Sequence, residues 1–320
     1  MKRGLTKFLI GASFLGLIAC NTQKRVEEPS PKMTEAVDEV IKYALVVVGS
    51  GRGERGTSLV DPYDKNCFFL GGVKVYKHLK ELGFEDKNMK FLYSTGNPDF
   101  VEKYDSETIT TIKEKQFNGS YDNRATKHNL DNVIEDFSYD VDSNDVFAIY
   151  IGTHGSPAIL EIEAGNEILW YHELQKMAEK VTPGYGILYV DSCHSGAYIK
   201  KMHLKNYVML STTGGSTYGW GDRDFSGGSF FFRNLSNAES DYNVDGRISV
   251  AEAFDKSKEE ALEHMERIDS YLKDKYNWEG GSYENEIGMM SVVPEIIIGE
   301  NVSGDYYFID LHHFPEKASE

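Results

Sequence analysis

Val146-Phe147-Ala148-Ile149-Tyr150-Ile151-Gly152-Thr153-His154-Gly155-Ser156 is an apolar run that breaks at a glycine and then presents a histidine. Further along, Ile187-Leu188-Tyr189-Val190-Asp191-Ser192-Cys193-His194-Ser195-Gly196 repeats the plan with a cysteine. Both runs are short, rich in β-branched and aromatic residues, and lack polar alternation. That pattern marks a central parallel strand covered on both faces. Residues 44–48 (Ala-Leu-Val-Val-Val), 90–93 and 207–210 read the same way, each ending in Gly, Ser, Thr or Asp. Between them apolar residues recur at helical spacing: Val73, Tyr76, Leu79 and Leu82; then Leu130, Val133, Ile134 and Phe137; then a third stretch over 171–181. Strand alternating with helix predicts an α/β fold of three layers, a mostly parallel sheet with helices on both faces. Functional residues then belong just beyond the carboxyl ends of the strands.

Neighbouring strand ends that carry a thiol and an imidazole supply a nucleophile and its general base. His154 favours the Cys193 thiolate and later protonates the leaving amine. Amides near Gly155 and Cys193 are placed to bind the oxyanion of a tetrahedral intermediate. The bland reading of both residues is strand-end polar decoration, but Cys193 follows its apolar run and sits among Ser, His, Ser and Gly. Cys67, beside Phe68 and Phe69, reads as a packing residue. His194 adjoins the nucleophile, yet consecutive side chains of extended backbone point to opposite sides, which disfavours it as the base.

The order His154-Gly155 first and Asp191-Ser192-Cys193-His194-Ser195-Gly196 second resembles the caspase-like cysteine peptidases. Residues 147–160 are similar to the histidine region of legumains, the asparaginyl endopeptidases, and Leu210-Ser211-Thr212-Thr213 to their Thr-Thr strand end. The cysteine region looks as much like metacaspases. The resemblance covers most of residues 44–235. It implies a cysteine endopeptidase acting on proteins or peptides, with Asp191, Asp222 and Arg52 (or Arg55) lining the pocket for the residue before the cleaved bond. Mixed charge there suits asparagine or aspartate; acid alone suits lysine or arginine. A non-catalytic binding module on the same fold is the reading from a different class, and it would have been favoured by loss of Cys193 or His154.

The first residues differ from the rest: Lys2, Arg3 and Lys7 precede an apolar run over 8–18 that ends Leu17-Ile18-Ala19-Cys20. This reads as a signal peptide over 1–20, and its end resembles the lipobox of bacterial lipoproteins, with cleavage before Cys20 and lipidation of its thiol. Residues 21–36 have tether composition and 37–320 the folded domain. The expected location is outside the cytoplasm, anchored by lipid to a cell-envelope membrane. With Cys20 so assigned, two of the three cysteines remain, too few for a disulfide scaffold. A net charge of −17 argues against nucleic acid as partner.

Downstream, Asp241-Tyr242-Asn243-Val244-Asp245-Gly246-Arg247-Ile248-Ser249-Val250-Ala251-Glu252 matches the EF-hand loop. Asp241, Asn243 and Asp245 supply side-chain oxygens, Arg247 a carbonyl, Ser249 a direct or water-mediated ligand, Glu252 two carboxylate oxygens, and Gly246 the sharp turn. A structural Ca²⁺ is expected; the alternative is an acidic connection between helices. Two other motifs carry less. Gly51-Arg52-Gly53-Glu54-Arg55-Gly56 spells a dinucleotide fingerprint, but 57–62 reads as loop rather than the helix that motif must open. His312 and His313 lack companion ligands nearby in the sequence.

Overall fold

Val46, Val47 and Val48 are all fully buried, although consecutive strand residues point to opposite faces, so the strand that holds them must be covered twice. That strand is β1 (Lys42–Val48). The chain continues as α1 (Cys67–Glu81), β2 (Met89–Tyr93), α2 (Glu107–Gln116), α3 (Lys127–Asp140), β3 (Val146–Gly152), β4 (Gly155–Ser156), β5 (Ile159–Ile162), β6 (Glu167–Trp170) and α4 (Tyr171–Ala178). There follow β7 (Tyr185–Asp191), α5 (Ser195–Ile199), β8 (Tyr207–Ser211), α6 (Gly227–Asn234), β9 (Arg247–Ser249), α7 (Val250–Tyr276), β10 (Glu295–Ile298) and β11 (Tyr307–Asp310). This computed structural model describes residues 40–49, 67–94, 96, 107–117, 122–216, 226–276, 295–302 and 307–310, all within one unit, Glu39–Glu320. The leader, the tether, Cys20, Arg52, Arg55, Asp222, the glycine motif at 51–56 and the two tail histidines lie outside the described residues.

The main sheet has the order β10-β8-β7-β3-β1-β2. Its first five strands in chain order run parallel, and β10 closes one edge antiparallel to β8. The sheet therefore grows in both directions from β1, as in a doubly wound fold. Alternation splits the side chains between two cores. Val46, Tyr150, Ile187 and Tyr189 meet α1, α2, α6 and α7 through Phe69, Tyr76, Ile112, Phe231 and Phe254. Val47, Ile149, Leu188 and Val190 meet α3, α4 and α5 through Ile134, Phe137, Leu174 and Tyr198.

The expected α/β architecture with a mostly parallel sheet is what the chain builds. Several elements depart from the periodicity reading. Ile109 and Ile112 are the buried residues of α2, and two apolar positions in ten give too weak a period to announce a helix. The residues after His154 form an antiparallel sheet, β4-β5-β6, from strands of two to four residues, shorter than a repeat of two can reveal. α4 ends at Ala178, before the expected 181.

Candidate active site

Gly152 and Asp191 are the last register pair of β3 and β7, and the Thr153 amide donates to the Asp191 carbonyl at 3.0 Å. His154 and Cys193 each lie two residues past that pair, beyond the ends of adjacent parallel strands. The histidine segment is held firmly. Thr153, fully buried, donates through its hydroxyl to the Glu161 carbonyl, and the Glu161 amide donates to the His154 carbonyl at 2.9 Å. The His154 ring is solvent-exposed and stands edge-on to Phe68 of α1, centroids 4.9 Å apart. Gly155 closes against the cysteine segment: a Cβ placed there would lie 2.8 Å from Ser192 Oγ and 3.0 Å from Leu160 Cδ2. A side chain at this position would require Ser192 and Leu160 to shift.

Cys193 is half-buried, and neither it nor Cys67 is in a disulfide. The Ser192 hydroxyl donates to the Cys193 carbonyl at 3.1 Å. The next residue, His194, has φ +56, the left-handed region that non-glycine residues visit rarely. Backbone at this turn is therefore not extended, and the alternation expected to turn His194 away does not apply. His194 is instead fixed by Nδ1 against the Gly215 carbonyl at 3.3 Å, which requires a proton on Nδ1 because a carbonyl only accepts. α5 starts immediately afterwards.

Two buried polar hubs, Thr213 and Asp191, hold this turn, a role the sequence did not announce for either residue. Thr213 Oγ1 accepts from the Ser195 amide at 3.0 Å, shares a hydrogen bond with Ser195 Oγ at 3.0 Å, and donates to the Ser192 carbonyl at 3.0 Å. Ser195 Oγ in turn accepts from the Thr213 amide at 3.1 Å. The second hub is Asp191, whose oxygens accept from Thr212 Oγ1 (2.7 Å), Ser226 Oγ (2.8 Å), the Tyr150 hydroxyl (3.1 Å) and the Gly228 amide (3.3 Å). Burial first, and the Asp191 charge second, push the Tyr150 hydroxyl well above the ordinary phenol range, which keeps it a donor.

The EF-hand-like loop lies between α6 and α7. Asp241 accepts from the amides of Asp245 (3.1 Å) and Gly246 (2.9 Å), and Asn243 Oδ1 from that of Asp245 (2.9 Å). Asp245 accepts from the Arg247 amide at 2.9 Å. Glu252 reaches across the loop, accepting from the Asn243 amide at 3.3 Å and from the Ser249 amide and hydroxyl at 2.9 and 2.8 Å. Val244 (φ +58) and Gly246 (φ +79) make the turn. The donors are all oxygen, the chemistry of a hard divalent cation. Among the described residues, however, no three His, Cys, Asp or Glu side chains gather closely enough to hold a metal ion. The carboxylates are turned to the loop's own amides.

A parallel sheet whose adjoining strand ends carry a cysteine and a histidine is the plan of an α/β cysteine hydrolase. The family model "Peptidase C13 family" matches residues 73–276, and the chain belongs to that family of legumain-like cysteine peptidases. Its substrates are accordingly proteins or peptides. No curated protein matches the sequence. Among solved structures, the chain is similar to the crystal structure of caspase-1 from Spodoptera frugiperda, at 10% identity and a TM-score of 0.46 over 81% of this chain and 86% of that one.

Proposed function

We propose that the chain is a cysteine endopeptidase of the cell envelope, working through Cys193 and His154 and cleaving after asparagine or aspartate. The observation that carries the reading is the shared register of β3 and β7, which brings both residues off adjacent strands two positions beyond Gly152 and Asp191. His154 takes the thiol proton as sulfur attacks the scissile carbonyl carbon. The amides of Gly155 and Cys193 bind the resulting oxyanion. Collapse breaks the C–N bond, His154 gives its proton to the leaving amine, and a thioester remains. Water, deprotonated by His154, then attacks the thioester and releases the acid and the free thiol. Asp222 and Arg52 are proposed walls of the specificity pocket, on the strength of the resemblance, and Asp191 closes its inner end.

A peptidyl electrophile should label Cys193, and Cys193→Ala should remove the label. His154→Ala, with His194 intact, should lower turnover by about 10²- to 10⁴-fold, the usual worth of a positioned general base. Labelling that persists in Cys193→Ala, or turnover at the wild-type rate in His154→Ala, refutes the assignment.

Two further parts of the proposal rest on sequence motifs. Cys20 carries lipid and tethers the exported protein to a bacterial envelope membrane; incorporation of a fatty-acid probe should vanish in Cys20→Ala. Asp241, Asn243, Asp245, Arg247, Ser249 and Glu252 bind one Ca²⁺ with a structural role. Bound ion would stabilise the fold by mass action, so chelator should lower the melting temperature and Glu252→Gln should abolish that response. An unchanged melting temperature together with a flat calorimetric titration rejects the calcium site.

A further inference from the structure

The acid two positions before the nucleophile would, by resemblance, read the substrate's side chain. Asp191 is 7% exposed, and its carboxylate already has four donors. Three of them, from Tyr150, Ser226 and Gly228, converge on Oδ2, while Thr212 takes Oδ1. They come from separate parts of the fold: Tyr150 from β3, Thr212 from just past β8, Ser226 from the N-cap of α6, and Gly228 from its first turn. The positive end of α6 thus faces this charge, and compensation is internal. Small residues make the approach possible. A Cβ on Gly71 would lie 3.0 Å from Ser226 Oγ, and one on Gly227 or Gly228 would collide with Thr212 or Tyr150.

We infer that Asp191 is a positioning residue: its carboxylate clamps Tyr150, Thr212 and the start of α6 to the end of β7, fixes the turn that carries Cys193, and does not itself pair with a substrate cation. The inference rests on the peptidase reading and deepens it. With 7% exposure and three donors already gathered on Oδ2, Asp191 acts through the turn it holds rather than on the side chain of the substrate.

The test uses three peptidyl chloromethyl ketones that differ only in the residue bearing the electrophile (Asn, Ala or Arg), together with iodoacetamide, on the full chain. Wild type, Asp191→Asn and Ser226→Ala are compared by the rate of Cys193 alkylation. Asp191→Asn should slow all three peptidyl probes and iodoacetamide by one common factor, about 10- to 100-fold for a misplaced reacting group, with the half-saturating peptidyl concentrations unchanged. Ser226→Ala should do the same to a smaller degree. Selective loss of the Arg probe, through a raised half-saturating concentration at an unchanged iodoacetamide rate, overturns the inference. Should Asp191→Asn fail to fold by circular dichroism, Ser226→Ala and Thr212→Val decide by the same comparison. Should no peptidyl probe label wild type, the peptidase reading falls. The iodoacetamide rates then decide alone: slowed in the variants they support positioning, equal they refute it.

Discussion

Thr213 shows how much of the site's order rests on one hydroxyl. It is fully buried, and its Oγ1 satisfies the Ser195 amide and the Ser192 carbonyl on either side of Cys193. Thr213→Val keeps the shape and strands both groups, at about 1–3 kcal/mol for a buried unsatisfied polar atom. Urea denaturation should register that loss, and Cys193 alkylation should slow with it; an unchanged midpoint and rate would detach Thr213 from the turn. His78 on α1 belongs to the same scale but acts through pH. Burial lowers its pKa, Arg233 and Lys77 lower it further, and the Glu81 carboxylate 2.8 Å away opposes them without winning. The unfolded chain therefore holds the His78 proton more tightly than the folded one. Stability tied to this group is intact above about pH 6.5, the ordinary imidazole value, and falls as pH drops below it. Melting temperatures between pH 7.5 and 5.5 should slope downward toward acid, and His78→Gln should flatten part of that slope.

At the scale of elements, α6 joins core to chemistry. Phe231 is fully buried against Tyr189 and Phe232, with ring centroids at 5.5 and 5.2 Å, while the helix start holds Asp191. Phe231→Ala should cost about 3–5 kcal/mol. It should also slow Cys193 labelling under conditions where the protein stays folded; a variant that loses stability yet labels at the wild-type rate would show that the helix start is anchored independently of its body. The parallel strands and the positions of His154 and Cys193 were legible because each is a local matter: a β-branched run, a stop, a reactive residue. Tyr150, Thr212 and Ser226 were not, since only the tertiary approach of α6 gives them a common partner. Nor was the left-handed backbone at His194, which no neighbouring residue announces. The short strands after His154 escaped because four residues carry no readable period.

For the whole molecule, the last described strands lie in different places. β10 pairs with β8 at the edge of the main sheet, Ile296 and Ile297 reach opposite cores, and β11 pairs with β9 beside the EF-hand-like loop. β10 and β11 are thus each joined to the body by backbone hydrogen bonds, and β10 by apolar contacts as well. Residues 1–285 and 286–320, co-expressed as separate polypeptides, should copurify as one species and melt in a single transition; recovery of the larger piece alone, folded and labelling normally, would show the tail to be a passenger. Copurification would make covalent continuity between α7 and β10 dispensable: the tail would then be a complementing fragment, and the peptidase in effect a heterodimer made as one chain.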